Sequence, residues 1–316
     1  MSRSTLHRRK RTRGIAFIIT ALVASLSVLV ILANLQEIKA GVLALQNVSL
    51  RWLMYSLSFV FLAPVSAAMA YHALCFRPIP IVRILGVQYA GLFINRLLPW
   101  GVGNISLFVY FLYRQKHTLA QASAIVAVNN ITGFVGHLSL LTLLYITVGI
   151  KVPPSTSHVS AMAVLWVIVV ICVLVLLAVQ KDALKKRVST YFRQLFADFL
   201  TFKKRPLTLF VALCWNIANS SLQFLVFYFA LLAFGVHLDI RAAILAFTGT
   251  IAVMSVTPTP GGIGGTEIGL AAILISYNLP PEQAITAALG YRLLSYWAPL
   301  VPGAFVAIGM RRRRYL

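Results

Sequence analysis

Glu267 is one of only six acidic residues in a chain that carries 28 lysines and arginines, and it alone among the six falls inside apolar sequence. It closes the stretch Pro258-Thr-Pro-Gly-Gly-Ile-Gly-Gly-Thr-Glu267, a proline and glycine break between two hydrophobic segments. In hydrocarbon, irregular backbone persists only where protein or a watered cavity satisfies its amides and carbonyls, so such a break marks a candidate binding site at membrane depth. Pro260 interrupts the helix, Gly261, Gly262 and Gly264 leave backbone open to a headgroup, and Glu267 adds a charge.

Two arginines also lie within apolar segments. Arg292 sits in the last one and is the natural counter-ion of Glu267. Glu267 could instead only complement the positive end of the following helix, with Thr266 as its N-cap. An unpaired carboxylate at membrane depth costs roughly 2.5–3.5 kcal/mol, which favours the pair. Arg96, beside Asn95 and three residues before Pro99, has no intramembrane acid in its half of the chain. It is either a phosphate ligand, for which its planar fork is suited, or a side chain snorkelling to the interface. Gln88, Asn104, Asn129, Asn130, His137, Asn216, Asn219 and Gln223 are consistent with a lined cavity, although such residues also hydrogen-bond between helices.

Other chemistry is not supported. Cys75, Cys172 and Cys214 are widely separated, without metal-ligand or redox spacing, so no metal and no cofactor are expected. Gly261-Gly-Ile-Gly-Gly265 follows no strand and lacks the Gly-Lys-Ser/Thr of a phosphate loop, so no nucleotide site follows.

The elements that hold these residues are read from hydropathy. The chain is 60% hydrophobic with a mean hydropathy of +0.87, and several apolar runs reach the ~20 residues that cross a bilayer. The fold class is therefore all-α: a polytopic helical membrane protein of about six spans. The spans are expected near residues 14–33, 52–76, 119–148, 159–179, 207–234 and 284–310. Two further apolar stretches, 84–113 and 242–277, are broken at their centres by Pro99-Trp-Gly101-Val-Gly103 and by the Glu267 stretch; each reads as a re-entrant hairpin. The organisation is a basic N-terminus (1–13), a first membrane half (14–180), a basic connector (181–206), a second half (207–310) and a tail (311–316). Span, hairpin and span recur in the two halves with opposite direction, an inverted repeat.

A net charge of +22 is compatible with a nucleic-acid partner, but its placement argues against one. Of the 28 basic residues, 22 fall on one side of this topology and four on the other, the pattern of a cytoplasmic face with both termini inside. Connector residues Leu184, Val188, Leu195, Phe199 and Phe202 follow helical spacing among lysines and arginines. An amphipathic surface helix and a solvated basic loop both fit that pattern.

Pro-Gly-Gly-Ile-Gly-x-x-Glu at 260–267, followed by Tyr291-Arg292, Pro299 and Gly303, resembles the second signature of the flippase-like transmembrane family, which includes the membrane domain of lysylphosphatidylglycerol synthases. Asn95-x-x-x-Pro99-x-Gly101-x-Gly103 resembles the first. The chain is most similar to standalone inner-membrane members of the YbhN type. The resemblance implies a domain that accommodates an anchored headgroup and moves it between leaflets of a bacterial inner membrane. Family members often carry acids where this chain has Asn104, Asn129 and Asn130, which argues against a cationic headgroup. No aminoacyl-transfer domain is expected, because Arg311-Arg-Arg-Arg-Tyr-Leu316 directly follows the last apolar run.

The expected activity is therefore handling of a membrane phospholipid or other anionic lipid, without enzymatic chemistry, through Arg96, Arg292, Glu267 and the glycines. An ion-coupled transporter of a small polar solute, and a lipid-holding partner of a lipid-synthesis enzyme, are the alternatives.

Overall fold

The computed structural model describes residues 48–97, 102–148, 182–257, 259–313 and 315. Every regular element among them is helical: α1 (Leu50–Leu74), α2 (Ile81–Leu97), α3 (Val102–Arg114), α4 (Leu119–Val148), α5 (Asp182–Lys203), α6 (Pro206–Ala233), α7 (Ile240–Val256), α8 (Gly265–Ser276), α9 (Pro281–Arg292) and α10 (Ala298–Arg312). A five-residue π turn, Leu293–Trp297, joins α9 to α10 without a break.

Four helices are long and apolar enough to span a membrane: α1, α4, α6 and the continuous α9–α10 segment of 32 residues. They coincide with four of the expected spans; those at 14–33 and 159–179 lie outside the described residues. At ~1.5 Å per residue, even the shortest, α1 with 25 residues, exceeds the ~30 Å hydrocarbon core. The paired helices are shorter, with 17 and 13 residues in α2 and α3 and 17 and 12 in α7 and α8. None would cross alone.

Both pairs are antiparallel. In the second, Gly249 faces Ile273, Gly269 faces Val253 and Gly265 faces Thr257, so a glycine stands at each of three successive close approaches. A Cβ on Gly269 would come within 2.6 Å of Val253 Cγ1. Small residues matter here because lipid tails compete for apolar contact, which leaves close backbone packing to hold helices together. In the first pair, Gly103 abuts Ile94 and Asn95, where an added Cβ would lie 2.7 Å from the Ile94 carbonyl oxygen.

The two halves meet along α1 and α6, also antiparallel: Ser49 N–H donates to Ala233 O at 3.0 Å and Ser56 Oγ to Val226 O at 2.9 Å. One core gathers Tyr71, Leu74, Ile84, Phe108, Phe111 and Ile125 from α1 to α4, and Tyr71 stacks on Phe108. The other gathers Phe227, Leu231, Ile244, Leu270, Leu274 and Ala287 from α6 to α9. From the first half, α2 lies along α10, with Gly86 against Met310, Gly303 against Tyr89 and Phe93, and Arg83 over the Tyr315 ring at 4.9 Å.

The connector is a helix rather than a loop, although two residues of its expected apolar stripe face the core. On α5, Phe202 is buried and Leu195 packs on the first core, while Tyr191 donates to Ser123 Oγ at 2.8 Å. Phe192, Phe196, Phe199 and Leu200 form an exposed apolar stripe at helical spacing, the arrangement of an interfacial helix.

Candidate functional site

The break before α8 is built so that its backbone is satisfied internally. Gly262 N–H donates to Thr259 O at 3.0 Å, Thr259 Oγ1 to Ile263 O at 2.8 Å and Thr266 Oγ1 to Gly262 O at 2.8 Å. Gly261, Gly262 and Gly264 all have left-handed φ, of 65°, 71° and 82°. Glycine alone takes that conformation without steric cost. The helix starts two residues earlier than expected, so Gly264 is the cap and Thr266 lies inside α8.

Glu267 occupies the first turn of α8 and is 7% exposed. Its Oε1 accepts from Arg292 Nε in a buried ion pair, and Arg292 Nη2 also donates to Gly261 O at 2.9 Å. One guanidinium therefore ties the last span to both ends of the break. Its planar face lies over the Tyr296 ring, 4.5 Å from the centroid. Glu267 Oε2 is buried without a hydrogen-bond partner.

Arg96 approaches the same ring from the other half, 5.0 Å from its centroid. Its Nε donates to Tyr296 O at 2.9 Å, Nη2 to Ser295 O at 2.9 Å and Nη1 to Leu92 O. The acceptors are available for a reason legible in the chain. Pro299 has no N–H to give the preceding turn, and the π turn shifts the ladder, so carbonyls near Ser295 are released from it. Arg96 is thus held by backbone of the last span rather than snorkelling. Asn95 stays local: its Oδ1 accepts the Asn104 N–H at 3.2 Å and caps the start of α3. Pro99 and Gly101 lie outside the described residues, and Gly103 serves the α2–α3 contact.

Between the halves these groups bound a cavity of about 360 Å³, lined by Arg96, Arg292, Asn95, Gly261, Tyr296 and, on α1, Pro64. Arg292 and Arg96 line it; Glu267 sits behind Arg292, away from the wall. A second cavity of about 370 Å³ adjoins it, and the two share Gln88, Asn104, Asn219 and Gln223. All eight neutral polar residues picked out from sequence line this second cavity. Asn216 Nδ2 is engaged, donating to Thr132 Oγ1 and Ala212 O at 3.0 Å and to Asn129 Oδ1 at 3.5 Å. Sequence reading missed Tyr296, the ring shared by both guanidinium groups. Its position four residues after Arg292, on one helix face, was the available signal. Among the described residues, no cluster of three potential metal ligands occurs.

The profile of the lysylphosphatidylglycerol synthase TM region matches residues 15–303, spanning both hairpins and both arginines. The chain belongs to that family. A UPF0104 membrane protein of Methanocaldococcus jannaschii is 21% identical over 221 residues, 68% of this chain and 93% of the relative. One from Pyrococcus horikoshii is 24% identical over 135 residues, 43% of this chain and 40% of the relative, so that match spans well under half of its length. Another, from Methanothermobacter thermautotrophicus, is 31% identical over 77 residues, 24% of this chain and 23% of the relative. No solved structure is significantly similar to the chain. The chain is an integral, polytopic helical membrane protein. Since these relatives are archaeal, family membership does not carry the expected bacterial inner membrane with it.

Proposed function

We propose that the protein binds an anionic lipid by its headgroup in the cavity between the two halves and moves it between leaflets. One observation carries the reading: Arg96 and Arg292 face a single cavity, with Glu267, the acidic partner of Arg292, behind the wall, so the lining presents positive charge to a ligand. Each guanidinium has N–H groups beyond those engaged by protein, and its fork matches phosphate oxygens. The Tyr296 ring contacts both guanidinium groups. The lipid is recognised and relocated without bond chemistry, and the two halves alternate in opening the site to either leaflet.

The test is leaflet exchange of acyl-labelled phosphatidylglycerol by purified protein in liposomes, without an ion gradient. Exchange is expected with wild type, and Arg292→Lys should reduce it, because lysine cannot make the forked contact. Absence of exchange across a panel of anionic lipids would refute the reading.

A second reading draws on the unpartnered Glu267 Oε2, an atom that could take up a proton. It makes the protein a proton-coupled transporter of a polar solute. Gradient-driven uptake abolished by Glu267→Gln, together with no lipid exchange, would favour it.

A further inference from the structure

The last span packs on both hairpins and changes partner at its midpoint. Its second part, α10, lies chiefly along α2: a Cβ on Gly303 would come within 2.9 Å of Tyr89 O and 3.1 Å of Phe93 N, and Arg83 covers the Tyr315 ring beyond the helix end. Its first part, α9, lies along α8 and the end of α6: Tyr291 meets the Phe227 ring edge-on at 5.2 Å, and Gln283 Nε2 donates to Gly235 O at 3.0 Å. The π turn Leu293–Trp297 separates the two parts.

A helix resists bending through its hydrogen-bond ladder, and here the ladder is thinned over one short stretch. Ala298 N–H reaches back five residues to Leu293 O. Pro299 and Pro302 have no N–H for the carbonyls four residues earlier, those of Ser295 and Ala298. π turns and prolines are the usual sites of sharp kinks. At membrane depth a freed carbonyl needs a partner. Arg96 of the first hairpin supplies it at Ser295 and Tyr296, while Tyr296 Oη donates back to Arg96 O at 3.4 Å. Ser295 and Tyr296 also line the cavity between the halves, where water can take those carbonyls once Arg96 lets go. Just before the turn, Arg292 is held by Glu267 and Gly261 of the second hairpin. Each hairpin therefore grips one side of a weak point.

We propose that Leu293–Trp297 is a hinge, that α10 moves with α2 while α9 stays with the second hairpin, and that Arg96 is the latch holding the arrangement seen here. The inference rests on the alternating opening proposed above and gives it a pivot: with the latch released, the end of α10 swings and opens the cavity towards the side that carries the C-terminus. From the turn to Ile308 the arm is about 16 Å at ~1.5 Å per residue, so a kink of about 20° displaces its end by about 5 Å.

The experiment measures distances by double electron–electron resonance between spin labels on exposed positions of the full chain, with its three native cysteines replaced, in liposomes with and without phosphatidylglycerol. Leu207 with Ile308 reads the arm against α6, Val82 with Ile308 reads it against α2, and Ile285 with Ile146 reads α9 against α4. In wild type the first pair should show two populations about 5 Å apart, and the other two pairs one distance each. Arg96→Gln should move the first pair towards the displaced population, with the Ile285–Ile146 distance reporting that the variant is folded. A single, unchanged distribution for the first pair in wild type overturns the hinge whatever the variant does. Movement of Val82 against Ile308 overturns the joint motion of α10 and α2, and two populations that a folded Arg96→Gln leaves unaltered overturn the latch. Leaflet exchange of labelled phosphatidylglycerol and other anionic lipids is followed in the same liposomes. Exchange with one fixed distance overturns the hinge while the anionic-lipid reading stands; two populations without exchange of any anionic lipid support the hinge and overturn that reading.

Discussion

Removing either partner of the Glu267–Arg292 pair should destabilise the protein, and by unequal amounts. The two side chains are 8% and 5% exposed, so each loses most of its hydration on folding, and breaking such a pair generally costs about 3–5 kcal/mol. The remainder left by each substitution differs. With Glu267→Gln, Arg292 keeps its bond to Gly261 O and its contact with the Tyr296 ring, worth ~2 kcal/mol when desolvated. The glutamine carbonyl can still accept from Nε. A loss of about 1–3 kcal/mol follows, below the full cost of a broken pair. With Arg292→Gln, Glu267 loses its one charged partner while Oε2 is already unmatched. The loss should reach the full ~3–5 kcal/mol. In the double variant no charge remains, and its loss should be smaller than the sum of the singles by at least ~1 kcal/mol. Reversible denaturant unfolding in mixed micelles, followed by circular dichroism, measures all four corners of the cycle. Additive losses, or a larger effect from Glu267→Gln than from Arg292→Gln, would refute the reasoning.

Gly261→Ala should destabilise by more than the about 1–2 kcal/mol of a left-handed alanine, because its backbone is left-handed (φ 65°, ψ 13°) and an added Cβ also meets the Tyr296 ring, with Cζ 2.9 Å away. A loss in denaturant unfolding no larger than that backbone cost would refute the clash. Burial lowers the pKa of His117, in the loop before α4, below its ordinary 6.5, and the neighbouring Arg77 acts in the same direction. Between that lowered value and 6.5 the unfolded chain binds the extra proton, so stability should be constant above about pH 6.5 and fall with acidification by at most ~1.4 kcal/mol per pH unit. His117→Phe should remove that part of the slope in pH-dependent unfolding. Single cysteines introduced at 99–104 and at 258–266 should react with impermeant thiol reagents from opposite faces of the membrane, and labelling from one face would refute the inverted repeat read from the basic residues.

The four described spans and the break before α8 were legible because hydrocarbon imposes length and polarity on any helix that crosses it, and α1, α4, α6 and α9–α10 obey that rule. The Glu267–Arg292 pair was legible for the same reason, since two opposite charges in apolar sequence have few alternatives. Arg96 was not: its acceptors are backbone carbonyls of Ser295 and Tyr296, and a carbonyl has no identity in a sequence. Pro299 was the visible half of that arrangement, and the π turn the invisible half. The glycine contacts of α7 and α8 likewise need the register, although Gly249, Gly265 and Gly269 were there to be counted. Among the eight neutral polar residues, sequence identified the lining, whereas the division into engaged and unengaged amides required coordinates.

Two of the three hydrogen bonds of Arg96 join residues 199 and 200 positions apart. During synthesis at ~5–20 residues per second, the acceptors leave the ribosome about 10–40 s after the donor. For that interval the arginine has entered the membrane region without the backbone that will hold it. The first hairpin must therefore wait near the interface, or borrow phosphates from the surrounding lipid, until the final span is inserted. The cavity is therefore complete no earlier than insertion of the final span, which carries Arg292, Ser295 and Tyr296.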